Sequence, residues 1–281
     1  MKKIGYGLFS IIALNLLGVS IPTFASAKVS SVQKQLAHLE AASGGRLGIT
    51  AINLGNNQRI QYHANESFPM GCTSKVIGVA AILKQSMRNR QLLRERIHYT
   101  KNDLTNWTPI TAKHVQDGMT VAELCAAAIS YSDNTAMNLL AQKLGGPKGL
   151  NTFARSIQDE HFKLDHWWPD EALASPASRQ DETTPAAMEE SLRKIVFGNV
   201  LGKSQQDRLI AWLKRNTTGD ARIRAGVPKG WIVGDKTGTG FYYGTTNDIA
   251  VIWPPKCAPI IVTIYYSSNK RSEEHTSELQ S

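Results

Sequence analysis

Apolar residues recur at helical spacing over residues 31–42 (Val32, Leu36, Leu39), and Ser43-Gly44-Gly45 stops that pattern. Residues 46–54 then alternate as a strand, Gly55-Asn56-Asn57 turns the chain, and 58–62 returns as a second strand. Helical spacing resumes over 72–87 through Val76, Val79, Ala80 and Leu83, and two further helical patterns fill 120–144, interrupted at Ser132-Asp133-Asn134. Residues 167–185 are rich in proline and polar side chains and read as a long loop, a kind of segment that is uncommon inside compact domains and usually functional. Helical patterns return over 186–197 and 204–215. Strand patterns follow over 231–237, 246–253 and 260–266, with turn chemistry at 238–244.

Strands at both chain ends and helices between them predict an α/β (α+β) fold. One antiparallel sheet with flanking helices is assembled from residues 28–68 and 216–270, and residues 69–215 form an all-helical lobe. A cleft between two such lobes is a usual place for a small-molecule site. On the last strand, Ile260, Val262 and Ile264 share a face that needs an apolar partner.

Composition narrows the setting. Hydrophobic residues make up 42% and charged residues 20% of 281, the balance of an ordinary globular chain. Lys2 and Lys3 precede a mostly apolar run over 4–21, and Ala25-Ser26-Ala27 supplies small residues for cleavage before Lys28. That reading makes 1–27 a signal peptide and the mature protein periplasmic or secreted, with no membrane association afterwards. The net charge is +9; without the two leader lysines, 30 Lys and Arg stand against 23 acids, or +7. A balance of that size draws anions to a cleft, and no run of Lys and Arg interleaved with aromatics points to nucleic acid. Three cysteines, Cys72, Cys125 and Cys257, leave at least one thiol unpaired, and no metal-ligand spacing links them to the seven histidines. No metal or cofactor is therefore expected.

Three short motifs carry chemistry. In Cys72-Thr73-Ser74-Lys75, residues three apart on a helix share a face, so a nucleophile at Cys72 sits beside Lys75; the lysine and the helix N-terminus both favour a thiolate. Ser132-Asp133-Asn134 breaks helical hydrogen bonding and can aim short polar side chains into a cleft. Lys236-Thr237-Gly238 ends a strand with a cation, a hydroxyl and a glycine that admits close backbone approach, which suits a substrate carboxylate. Alone, each reads equally as packing or capping.

In this order and on these elements, the trio resembles the class A β-lactamase family. Family-like segments extend the resemblance over residues 31–269. They are Phe68-Pro69-Met70, Gly118-Met119-Thr120-Val121-Ala122-Glu123-Leu124-Cys125, Thr183-Thr184-Pro185-Ala186-Ala187-Met188, Gly219-Asp220-Ala221-Arg222-Ile223-Arg224 and Gly244-Thr245-Thr246-Asn247-Asp248. The resemblance implies a monomer that opens the β-lactam ring of penicillin-like antibiotics through a covalent acyl-enzyme. It implies that Cys72 attacks the lactam carbonyl, that Lys75 takes or relays the proton, and that Ser132 passes one to the departing nitrogen. Asn134 holds the substrate's side-chain amide. Lys236, Thr237 and Thr239 meet its carboxylate beside Gly238, with Arg222 behind them. The backbone N–H groups of Cys72 and Thr239 form the oxyanion hole, and Trp107 is an aromatic wall of the cleft.

The departures from the family are specific. Its nucleophile is serine, where this chain has Cys72, with Ser74 two places later. Its loop reads Trp-Glu-Pro-x-Leu-Asn, whereas here the stretch is Trp167-Trp168-Pro169-Asp170-Glu171-Ala172. Trp168 thus stands at the position of the glutamate that activates the deacylating water, and Ala172 at that of its asparagine partner; Asp170 or Glu171 substitutes only with a shift of the loop backbone. The family's C-terminal helix is not recognisable after the last strand. Residues 271–281 resemble the in-frame translation of a sequencing adapter and are expected to be non-native. The spacing of 236–244 resembles that of carbapenem-hydrolysing members, although Gly71 and Gly240 occupy the positions of their cysteine pair. Three readings follow: a β-lactam hydrolase, a β-lactam-binding pseudoenzyme with little or no turnover, and a D-Ala-D-Ala peptidase.

Overall fold

A computed structural model describes residues 22–240 and 242–268. The apolar run 4–21 and the tail 271–281 lie outside the described residues. Helix α1 spans Pro22–Ser43, so it begins nine residues before the apolar periodicity that announces it. It leads into β1 (Gly45–Asn53), which turns into β2 (Arg59–Tyr62). The other strands of the main sheet come from the far end of the chain: β7 (Ile232–Thr239), β8 (Thr246–Trp253) and β9 (Ile260–Ser268). All neighbours are antiparallel in the order β2-β1-β9-β8-β7, so β1 and β9 join the two chain ends at the centre, and β7 is an edge strand.

Strands β8 and β9 carry the apolar runs Ile249–Ile252 and Ile260–Val262 because both faces of the sheet are covered. One face packs Leu47, Ile49, Val262, Ile264, Ala250 and Ile252 with Val32 and Leu36 of α1. The partner required by Ile260, Val262 and Ile264 is thus found partly in the N-terminal helix, and all three are buried. The opposite face turns Ile249, Val251, Ile261 and Tyr265 toward the helices.

Those helices are α2 (Lys75–Ser86), α3 (Val121–Ser130), α4 (Asn134–Leu144), α5 (Pro147–Ser156), α6 (Pro185–Val196), α7 (Lys203–Lys214) and the short α8 (Ile223–Gly226). Helix α2 is buried on nearly every side and forms the axis of the helical core. Helix α5 is not predicted from the sequence, since its apolar face, Leu150, Phe153 and Ala154, is only about one turn long. Thr120 and Glu123 close a capping box on α3. Two two-stranded ribbons complete the fold, β3 (Phe68–Pro69) with β6 (Glu182–Thr183), and β4 (Arg96–Ile97) with β5 (Met119–Thr120).

The long loop is therefore shorter than the sequence suggests: its C-terminal end is β6, and Pro185 already belongs to α6. Pairing of β6 with β3 ties it to the segment just before Cys72. The buried carboxylate of Asp181 reinforces that tie by accepting from the N–H groups of Asp165 (2.8 Å) and His166 (3.0 Å), while the Asp181 carbonyl accepts from Met70 N (2.8 Å).

Leu36 is fully buried between α1 and the sheet. Leu36→Ala should lower stability by about 2–5 kcal/mol in urea unfolding. An unchanged midpoint would show that α1 is not part of the folded core.

Candidate active site

The nucleophile motif forms a 3₁₀ turn, Gly71–Ser74, that runs directly into α2. The turn is locked from below: Thr73 Oγ1 donates to Met70 O (2.8 Å) and meets Tyr265 OH (3.1 Å), and Ser74 Oγ donates to Gly71 O (2.8 Å). Ser74 is thereby committed to the backbone, which leaves the half-buried Cys72 facing the cleft. Strand β7 lies against this turn at a separation only glycine allows. A Cβ on Gly238 would fall 2.6 Å from Met70 O and 3.2 Å from Thr73 N.

The Ser132-Asp133-Asn134 segment sits between α3 and α4. Asp133 caps α4 by accepting from Ala136 N (2.9 Å) and also gathers Ile110 N (3.0 Å) and Thr111 N (2.9 Å), so its position is fixed from three directions. Ser132 next to it adopts a left-handed φ of 58°. This conformation turns both its carbonyl and its hydroxyl toward the lysines. Lys75 Nζ donates to Ser132 O (2.7 Å) and Asn134 Oδ1 (2.5 Å) and lies 3.5 Å from Ser132 Oγ. Lys236 Nζ donates to Ser132 Oγ (2.9 Å) and Thr237 O (2.8 Å). Both ammonium groups are fully buried.

The rest of the predicted set converges on the same cleft. Cys72 Sγ lies 3.9 Å from Asn134 Oδ1, whose amide donates to Asn106 O (2.8 Å). Thr237 Oγ1 pairs with Thr218 Oγ1 (2.6 Å). Arg222 donates to Gly238 O (2.9 Å), to Thr239 Oγ1 (2.7 Å) and to Asn247 O, which pins its charge behind the end of β7. Trp107 stands at the rim, 62% exposed, its indole donating to Tyr131 O (3.0 Å) and its carbonyl accepting from Asn134 N (3.0 Å).

One member is absent from the sequence-based set. Glu171, on a 3₁₀ turn at Asp170–Leu173, is fully buried with Oε1 3.3 Å from Cys72 Sγ. Trp168 and Glu171 divide the loop between core and cleft. Trp168 turns into the helical core, clamped by Asn138, which accepts from Trp168 N (3.1 Å) and donates to Trp168 O (2.6 Å). Three residues later the chain delivers a carboxyl group to the thiol. The signal available in the sequence was a polar residue, Glu171, where the family motif has leucine.

The cluster shifts its own titrations. Burial pushes the Cys72 thiol up, but the positive charges of Lys75 and Lys236 outweigh it and bring the thiol down to about 7. Burial, together with repulsion from Lys75 and Arg222 and against the attraction of Cys72, brings Lys236 down to about 7. Glu171 is held well above the usual carboxylate range, first by burial and then by the charge on Cys72. Cys72, Cys125 and Cys257 are all free thiols, and burial pushes Cys125 up. Among the described residues there is no group of three His, Cys, Asp or Glu placed to hold a metal ion, and no helix long and apolar enough to cross a membrane.

Comparison with known proteins agrees with this geometry. The model of the β-lactamase enzyme family matches residues 31–280. The chain is 50% identical to β-lactamase Toho-1 of Escherichia coli over 253 residues, 90% of this chain and 87% of that one. It is 49% identical to β-lactamase CTX-M-97 of Escherichia coli over 273 residues, covering 97% and 93%. Among solved structures, an ancestral class A β-lactamase superposes with a TM-score of 0.83 at 50% identity, covering 86% of this chain and 93% of that chain. The β-lactamase of Desulfarculus baarsii DSM 2075 gives 0.85 at 45% identity, covering 87% and 91%. Fold and site together define an enzyme whose cleft gathers the Cys72 thiol, Glu171 and Ser132, with Ser132 Oγ between two buried lysines. The chain belongs to the class A β-lactamase family.

Because its neighbours favour the thiolate, Cys72 should react with iodoacetamide along a pH curve whose midpoint lies near 7. Thiolate is gained as pH rises through that value, and Cys125 should resist until the protein unfolds. Peptide mapping after labelling checks this. A Cys72 midpoint at the ordinary thiol value would mean the lysines do not act on it.

Proposed function

We propose that the chain hydrolyses the β-lactam ring of penicillin-like antibiotics through an acyl-enzyme on Cys72 and thereby confers resistance to them. The observation that carries this reading is the convergence of Cys72, Lys75, Ser132 and Lys236, with Ser132 Oγ held between two buried lysines. The Cys72 thiolate attacks the lactam carbonyl carbon. A C–S bond forms, the C–N bond breaks, and the nitrogen takes a proton from Ser132 Oγ, replenished through Lys75 or Lys236. The N–H groups of Cys72 and Thr239 hold the oxyanion. Lys236, Thr237, Gly238, Thr239 and Arg222 receive the substrate carboxylate, Asn134 its side-chain amide, and Trp107 walls the cleft. The protein works as an exported monomer without metal or cofactor, in the periplasm or the medium, with the small-molecule antibiotic as its partner.

Mixing with benzylpenicillin should give a covalent adduct of the intact drug's mass on Cys72, and nitrocefin should be hydrolysed after a burst of about one equivalent. Cys72→Ala should lower hydrolysis by roughly 10³-fold or more. An adduct that never turns over would mark a binding protein instead, and the absence of any adduct would rule out both.

A further inference from the structure

From the placement of Glu171 we propose that this carboxylate is the general base of deacylation, taking over from a family position that here holds Trp168. The inference rests on the acyl-enzyme reading above. Three observations carry it. Among the described residues, Glu171 is the carboxylate in hydrogen-bond contact with the nucleophile, 3.3 Å from Sγ. It is fully buried, and its second oxygen, Oε2, has no hydrogen-bond partner among those residues. A buried carboxylate oxygen without a donor is costly and needs an explanation; a water bound at the acyl carbon would supply the missing hydrogen bond. Finally, Trp168 is buried in the helical core and carries no group able to accept a proton, and Ala172 has no polar side-chain atom.

The acyl group itself switches Glu171 on. In the free protein, Cys72 and Glu171 are in contact and their titrations are linked: the hydrogen bond with Glu171 favours the Cys72 thiolate, and the charge of that thiolate raises the cost of ionising Glu171. The groups facing Glu171 are Cys72 on the nucleophile turn, Lys75 at the start of α2, and Asp181 on its own loop. Once Cys72 is a thioester, its negative charge is gone, while the attraction of Lys75 remains. Glu171 therefore ionises more readily in the acyl-enzyme than in the free protein. The carboxylate then takes a proton from water as the oxygen attacks the thioester carbon. The C–O bond forms, the C–S bond breaks, and the thiolate leaves beside Lys75 and Lys236. The opened acid departs and ionises in solvent. Glu171 keeps that proton beside the departing thiolate, 3.3 Å from Sγ, which restores the resting pair of thiolate and carboxyl.

Rapid-mixing kinetics with nitrocefin and intact-mass spectrometry with benzylpenicillin test the assignment on the full chain, Glu171→Gln and Glu171→Asp. Acyl-enzyme should form in Glu171→Gln, which shows that the site is folded, and its decay should slow about 10²–10⁴-fold. Glu171→Asp should recover part of the rate. Deacylation of the unsubstituted chain should rise with pH to a plateau, with a midpoint above the ordinary carboxylate range. Decay of the Glu171→Gln adduct at the unsubstituted rate would overturn the proposal. So would a deacylation rate that rises tenfold per pH unit without a plateau, the signature of hydroxide from solvent; this second measurement needs no variant. Failure of the unsubstituted chain to form any adduct would overturn the acyl-enzyme reading itself and this inference with it.

Discussion

Two ammonium groups buried within reach of one serine hydroxyl are the constraint on which the rest of this site depends. A buried cation without compensation is expensive, so Lys75 and Lys236 dictate what surrounds them. Their hydrogen bonds account for the left-handed turn at Ser132, the orientation of the Asn134 carbonyl and the position of the Thr237 carbonyl. The thiolate of Cys72 completes this arrangement as the nearby negative charge.

The fold holds this cluster by pressing elements from distant parts of the sequence together at close range. Gly238 lets the edge strand β7 reach the nucleophile turn, and Tyr265 on β9 supports that turn from the sheet side. Asp133 and Asp181 act as anchors, each collecting backbone N–H groups from segments that would otherwise be free to drift. The loop that carries Glu171 is fastened at both ends, by Asn138 to the backbone of Trp168 and by β6 to β3. The carboxyl is therefore positioned by rigid neighbours and does not depend on the loop's own propensity.

Much of this was legible in the sequence, because it rests on local pattern. Strand β8 falls on the residues its strand pattern marks, Ser132-Asp133-Asn134 lies at the interhelical break and Lys236-Thr237-Gly238 near the end of its strand, whereas Cys72 lies on a 3₁₀ turn ahead of the helix expected to start with it. What escaped has a tertiary cause. Helix α5 presents Leu150, Phe153 and Ala154 to the core, an apolar face only about one turn long that does not stand out in the sequence. Strand β7 runs two residues past Thr237, since its ladder with β8 continues through Thr239 opposite Thr246. The direction of Glu171 is set by the burial of Trp168 and by contact with the nucleophile turn, neither of which leaves a periodic trace. Motif matching assigns roles by position along the chain, whereas the site assigns them by position in space.

The thiol at Cys72 has a consequence outside the proposed hydrolysis. A hydroxyl activated between two lysines is inert to oxidants, but a half-buried thiolate in the same field is an electron donor. Peroxide takes such a sulfur to the sulfenic acid, which thiols reverse, and then to the sulfinic acid, which they do not. No other described cysteine contacts Cys72 to divert it into a disulfide. The charges that favour the Cys72 thiolate thus also expose it to the redox state of its surroundings.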